Sequence, residues 1–301
     1  MQEKPLVSVI CLCYKHEKFV IEDLNSVINQ TYKNFELIIV DDCSTDNSVS
    51  IIEKWLIDKP KIKFIANKKN FGNTKSFNLA FKLSKGEFII DFAADDILYP
   101  NFINFLSYKF ETSTFKNLAI VYGNLELIDE NKKHIAYYFP VNENLKRLNP
   151  EPIGDIYIGL LNLDNNVCSV SSMFKRSIYE EFNGYDESLA YEDYDFWIKV
   201  SRKYNFDFID EIIMQKRELL TSLSAHRYKR FNKKTRNFNL TTYRIVLNIL
   251  KLNQNKAENI AVLKRIHHEM NIVFRTLNTK LYLKYLILLL KMKFTTKQSH
   301  F

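Results

Sequence analysis

Over its first hundred residues the chain alternates short apolar, β-branched runs with segments of helical periodicity, and this alternation restricts it to very few architectures. Leu6 to Tyr14 is rich in Val and Ile, as a strand buried on both faces requires. Phe19 to Asn29 then carries Val20, Leu24, Val27 and Ile28 at helical spacing. Phe35 to Val40 reads as a second strand, and the next helix stripes Val49, Ile52, Trp55 and Leu56. Ile62 to Ala66 and Asn73 to Leu83 repeat the pair, and Phe88 to Phe92 is a fourth strand. Repeated β-α-β units of this size imply an α/β fold with a mostly parallel, doubly wound sheet flanked by helices.

The middle of the chain changes style. Leu118 to Ile128 and His134 to Phe139 flank Asp129-Glu130-Asn131-Lys132 and read as a hairpin. Val170 to Phe174 is strand-like, Asp193 to Tyr204 is an amphipathic helix, and Phe206 to Ile209 reads as a final strand. From Arg230 onward the pattern is helical and contains no glycine. These shifts divide the chain into residues 1–225, a catalytic α/β domain, and 226–301, a basic helical extension, with the boundary near Ala225.

Charge supports that division. The 301 residues carry 43 Lys and Arg against 35 Asp and Glu, and 17 of those bases but only 2 of the acids lie beyond Ala225. Nucleic acid or an anionic membrane surface could attract such a tail, whereas the acidic body argues against nucleic-acid binding as the main activity. The longest apolar run, Leu286 to Leu290, is far short of the ~20 residues of a membrane span. Four cysteines fit neither a disulfide scaffold nor a zinc module, and the amino terminus leads directly into a strand. The expectation is a cytoplasmic protein, peripheral at most on the inner face of the cell membrane.

In open α/β sheets, ligands bind beyond the carboxyl ends of the strands. Two strands here end in paired carboxylates, Asp41-Asp42 and Asp95-Asp96. No G-x-G-x-x-G follows the first strand and no P-loop occurs, which excludes the common dinucleotide and P-loop nucleotide sites. An acidic crevice can hold a diphosphate if a divalent cation bridges them, and oxygen ligands suit Mg²⁺ or Mn²⁺. Each pair also has a structural reading. Asp42, Ser44 and Asp46 could form a turn capping the helix that begins near Asn47, and Asp95-Asp96 could cap the helix entered through Pro100. A third constellation, Tyr191-Glu192-Asp193-Tyr194-Asp195, puts three carboxylates at a helix start. N-capping explains part of it, and a general base explains the rest.

These pieces together resemble family 2 glycosyltransferases of the GT-A fold, the bacterial group that builds surface polysaccharides. Val7 to Tyr14 resembles the family's first strand, and Ser26 to Tyr32 its S-x-x-x-Q-T-Y segment. Val40-Asp41-Asp42-Cys43-Ser44-Thr45-Asp46 is similar to its V-D-D-x-S-T-D signature. Asn70-Phe71-Gly72 with Asn78, Gly86 to Ile89, and Glu192-Asp193 fit its later motifs. The likeness runs from about Pro5 to Arg217.

The resemblance implies roles. Tyr14 and Asp41 would line the nucleobase pocket, with Asp42 near the base or ribose and Lys75 near the nucleotide. Asp95, with Asp96, would hold a divalent metal (Mn or Mg) beside the diphosphate, and Asp193 would be the catalytic base. Two departures stand out: Ala93 replaces the first aspartate of D-x-D, and Leu219 stands where a late histidine is expected, with His226 nearby but out of register.

The activity implied is inverting transfer of a sugar from a nucleotide-diphosphate sugar, with UDP as nucleotide, to a glycan or lipid-linked acceptor. Two other readings stay open: a noncatalytic nucleotide-sugar binding module, and a metal-dependent sugar nucleotidyltransferase. The basic tail is open between a cationic helix on an anionic membrane and a terminal helix packed on the core or on a second subunit of a homodimer.

Overall fold

The computed structural model describes residues 4–150, 152–163, 167–219 and 228–298. One nine-stranded sheet runs through it in the order β3-β2-β1-β4-β8-β6-β9-β5, with β7 paired to β6. Its first half comprises β1 (Val7–Cys13), β2 (Phe35–Asp41), β3 (Lys63–Ala66) and β4 (Phe88–Ala93), all parallel. The helices α1 (Val20–Ile28), α2 (Ser48–Trp55) and α3 (Asn73–Phe81) make the crossovers. Every residue of β1 is buried. Covered on both faces, a strand has no polar side to alternate with, so its sequence reads as one continuous apolar run.

Beyond β4 the sheet is mixed. β5 (Ile97–Leu98), α4 (Phe102–Thr112), β6 (Leu118–Ile128) and β7 (His134–Tyr137) are followed by α5 (Tyr157–Asn162), β8 (Ser172–Lys175) and α6 (Arg176–Glu181). β8 lies antiparallel between β4 and β6. α7 (Asp193–Ser201) leads into β9 (Asn205–Arg217), parallel to β6. Six of the nine strands therefore point the same way, and the mostly parallel α/β sheet expected from the sequence is present.

Three expectations shift. β9 is far longer than Phe206–Ile209, because its outer half pairs with the two-residue β5 as well as with β6. α5 and α6, six residues each, were not foreseen, since they are too short to display helical periodicity. The helix after Pro100 begins at Phe102 with no side-chain cap, so Asp95 and Asp96 do not cap it.

The tail forms α8 (Lys233–Leu252), α9 (Lys256–Arg275) and α10 (Thr279–Gln298). Asn232 caps α8, its side chain accepting from the Lys234 and Thr235 N–H groups, and Asn255 caps α9 by accepting from Glu258 N. Ile245, Val246, Ile249, Val262, Ile266 and Tyr285 belong to the same buried cluster as Phe174, Phe196 and Trp197 of the α/β body. The extension thus shares a core with the domain before it. Ala225 and His226 lie outside the described residues.

Candidate active site

Strand register gathers the site. Cys13 pairs with Asp41 across β1 and β2, and Leu12 with Ala93 across β1 and β4. Tyr14, Asp42 and Asp95 consequently leave the sheet at one edge, beside the point where β1 and β4 connect in opposite directions. Such a switch point opens a crevice. The loops that leave there are laced together: Lys15 N donates to Ser44 Oγ (2.8 Å), His16 N to Ser48 Oγ (3.1 Å) and Glu17 N to Asp46 Oδ2 (3.2 Å). Lys15 and Cys43 take left-handed φ values of 63° and 65° to make these turns. Tyr14, at 42 % exposure, stands at the crest with the Lys15 ammonium over its ring, 5.3 Å from the centroid.

The two aspartates ending β2 do different work. Asp41 is fully buried; its Oδ1 accepts from Ser44 N (2.7 Å), while Oδ2 has no hydrogen-bond partner among the described residues. An unfilled buried acceptor costs ~1–3 kcal/mol, so this oxygen is suited to an N–H donor from outside the protein. Asp42 is saturated. Its Oδ1 accepts from Asn67 Nδ2, Phe71 N and Ser76 Oγ, each at 2.9 Å, and its Oδ2 accepts from Gly72 N at 2.7 Å. It organises the loop into α3, the far end of that loop being the Asn70-Phe71-Gly72 motif. Gly72, with φ of 86°, is the residue that enters the helix. Lys75, one turn on, lies 3.7 Å from Glu187 and over the Phe71 ring, half-exposed.

The pair ending β4 also splits. Asp95 keeps a partly accessible carboxylate, 3.8 Å from His16 Nε2. Asp96 is 2 % exposed and accepts from Arg217 N (2.9 Å). Burial, then the neighbouring Asp95 charge, pushes its carboxyl well above the usual range. Arg217 is itself buried; it donates to the Asp95 carbonyl (2.7 Å) and pairs with Glu22, locking the turn from the end of β9. Behind it, Asp23 is fully buried with its carboxyl raised by burial and by Asp96.

Among the described residues no group of three or more His, Cys, Asp or Glu could hold a metal ion. Asp95 alone does fit the other common arrangement, in which Mg²⁺ or Mn²⁺ takes one carboxylate and fills its remaining positions with substrate phosphates and water. Leu219, at the position of the expected histidine, is buried at 7 % exposure. His226 lies outside the described residues.

Asp193 opens α7, its Oδ1 accepting from Tyr194 N (2.7 Å). It lines a recess of about 100 Å³ with Leu160, Ser169, Trp197 and, from the extension, Arg265. Glu192 accepts from Asn73 Nδ2 and Thr74 Oγ1, both at 2.9 Å, in the first turn of α3. Burial, and then the Asp193 charge, pushes the Glu192 carboxyl up to about 7. Asp91, on β4, faces the same group; burial and then Glu192 raise it well above the carboxylate range, with the nearby Tyr185 hydroxyl lowering it in part. Asp91 escaped the sequence reading because it stands inside an apolar strand, where no motif marks it. The N-terminus of α3 is thereby gripped from both sides, by Asp42 through its loop and by Glu192 through Asn73 and Thr74.

A scan against family models matches residues 8–182 to glycosyl transferase family 2. An uncharacterised glycosyltransferase of Haemophilus influenzae is 29 % identical over 301 residues, covering 94 % of this chain and 87 % of that one. Among solved structures, S. aureus TarS 1-349 in complex with UDP-GlcNAc superposes with a TM-score of 0.62 at 19 % identity, covering 90 % of this chain and 71 % of that one. The mannosyltransferase PcManGT from Pyrobaculum calidifontis, in complex with GDP-Man and Mn²⁺, gives 0.61 at 14 % identity over 95 % and 75 %. At these identities the structural likeness establishes the shared GT-A fold. The family match extends over more than half of the chain and takes in Asp41, Asp42, Asp95 and the loop into α3, while Glu192 and Asp193 lie beyond its end. The chain belongs to glycosyl transferase family 2.

Proposed function

We propose that this glycosyltransferase is inverting and moves a sugar from a nucleotide-diphosphate sugar to a hydroxyl of a glycan or lipid-linked acceptor in cell-surface polysaccharide synthesis. The observation that carries the reading is the double grip on α3. The loop that Asp42 organises and the helix that begins at Asp193 meet at Asn73 and Thr74, so a donor beside the strand ends would lie next to the candidate base.

In this reading the Tyr14 ring stacks on the nucleobase and the open oxygen of Asp41 accepts one of its N–H groups. Asp95 would hold a divalent metal together with the donor's diphosphate. When bound, such an ion neutralises charge on a leaving diphosphate. Asp193 takes the proton from the acceptor hydroxyl as its oxygen attacks the anomeric carbon from the face opposite the diphosphate. The C–O bond to the acceptor forms as the bond to the leaving phosphate oxygen breaks, which inverts the configuration. Fixing donor and acceptor in line supplies much of the remaining acceleration. A lipid-linked acceptor would set the enzyme at the inner face of the membrane.

UDP is favoured by the TarS complex and GDP by the mannosyltransferase complex, so the donor is read by a panel. Thermal stabilisation by UDP-, GDP- and dTDP-sugars, with and without Mn²⁺, is expected to select one nucleotide class and to depend on the metal. Asp193→Asn is expected to keep that stabilisation and lose transfer by at least ~10²-fold. Near-normal turnover in this variant would refute the base assignment. Donor binding with no transfer by the unmodified chain would favour the binding-module reading, which Ala93 and Leu219 motivate.

A further inference from the structure

The last helix has two apolar faces, and the fold uses one. Leu281, Tyr285, Leu288 and Leu289 of α10 are buried against the core. Leu283, Leu286, Ile287 and Leu290 remain exposed, at 58, 36, 54 and 55 %. Their spacing of i, i+3, i+4 and i+7 aligns them in a single stripe about 100° wide. Lys280, Lys284 and Lys291, also exposed, occupy the adjacent strip of the helix, and the Lys284 ammonium lies over the Tyr243 ring of α8 (5.9 Å). On the other edge the stripe continues through Tyr282 to Phe274 of α9, their rings 5.8 Å apart and Phe274 66 % exposed.

Charge chooses the occupant. Residues 226–301 hold 17 Lys and Arg and only 2 acids, Glu258 and Glu269. Both acids are buried and paired, Glu258 with Arg202 (2.8 Å) and Glu269 with Arg265 (3.5 Å). The described residues of α8 to α10 therefore expose no carboxylate at all. A second copy docking by the same face would bring like charges together. A partner that is apolar in its interior and anionic at its boundary matches both features. No described helix is long and apolar enough to cross a membrane.

We propose that the Leu283-Leu286-Ile287-Leu290 stripe of α10, with its lysine border, docks the protein onto an anionic lipid bilayer, the helix lying in the interface plane. The stripe inserts at the boundary of the acyl chains while Lys280, Lys284 and Lys291 meet lipid phosphates. This deepens the acceptor reading above, on which only its biological purpose rests; the docking itself requires no donor and no turnover.

The test uses the full chain and co-sedimentation with vesicles of phosphatidylcholine, with and without phosphatidylglycerol, in the absence of donor. Binding is expected with phosphatidylglycerol, weakening with salt. A Leu283→Ser, Ile287→Ser, Leu290→Ser variant alters only exposed side chains, so its melting temperature and donor-induced stabilisation should match the unmodified protein while vesicle affinity falls at least tenfold. Replacing Lys280, Lys284 and Lys291 by Glu should remove the preference for anionic vesicles, each lysine contributing roughly fivefold. Three results would overturn the proposal: no sedimentation of the unmodified chain with anionic vesicles, equal sedimentation of the serine variant, or concentration-dependent self-association that the serine variant abolishes without changing vesicle binding. Loss of vesicle binding with transfer to a soluble acceptor intact separates failure here from failure of the glycosyltransferase mechanism.

Discussion

Asp42→Asn distinguishes an aspartate that builds the loop into α3 from one that touches the nucleotide. The carboxylate receives four hydrogen bonds, from Asn67, Phe71, Gly72 and Ser76. An asparagine with its oxygen at the Oδ1 position keeps three acceptor contacts but turns its NH₂ toward Gly72 N, donor against donor. The Gly72 bond is lost outright, at ~1.5–3 kcal/mol for a bond to a charged group, and the other three drop toward the ~0.5–1.5 kcal/mol of neutral bonds. Allowing for relaxation, the total is about 3–5 kcal/mol. In a domain of this size each kcal/mol moves the melting temperature by ~2–4 °C, so a fall on the order of 10 °C is expected by circular dichroism, together with weaker donor binding. A melting temperature within ~2 °C of the parent, combined with loss of nucleotide binding, would refute the reasoning and return Asp42 to the base or ribose.

Glu192 gives a pH signature. Its folded-state pKa of about 7 exceeds the unfolded value of 4.5, so between these values the folded protein holds the extra proton and stability falls as pH rises. In Glu192→Gln that slope should disappear, and melting curves at pH 5 and pH 8 should show the variant gaining on the parent as pH rises; parallel curves would disprove the raised carboxyl. Gly86→Ala should be severely destabilising, because a Cβ there would meet Ser8 N at 2.4 Å and Phe88 O at 2.8 Å, both backbone. Urea titration is expected to show a loss of several kcal/mol, at the upper end of single-residue effects; a loss below ~1 kcal/mol would mean that the strands can separate there.

The parallel half of the fold was legible because its central strands are buried on both faces and its helices carry clean apolar stripes, as in β1 and the Val20-Leu24-Val27 face of α1. The strand-end aspartates were legible for a similar reason: a charge that interrupts an apolar run is conspicuous. What each carboxylate does was not. Asp41 and Asp42 are adjacent letters, yet one has an open oxygen and the other has none, because alternate residues leaving a strand face opposite ways. Asp91 was invisible, its partners Glu192 and Tyr185 lying some hundred positions away. The tail was read as either packed or exposed, and α10 is both, since a helix stripe can be split between two neighbours.

The extension does more than sit behind the domain. Thr241 Oγ1 accepts from Ala190 N (2.9 Å), Thr242 meets the Tyr191 hydroxyl (2.7 Å), and the Arg265 guanidinium lies over Tyr194 (4.2 Å). Each residue contacted belongs to the segment that carries Glu192 and Asp193. Sequence change in the last quarter is therefore mechanically linked to the alignment of Asp193, the proposed base. A chimaera that borrows its first 219 residues from this chain and its tail from a relative would need matching residues at Thr241, Thr242 and Arg265 to preserve turnover, although none of them need touch a sugar.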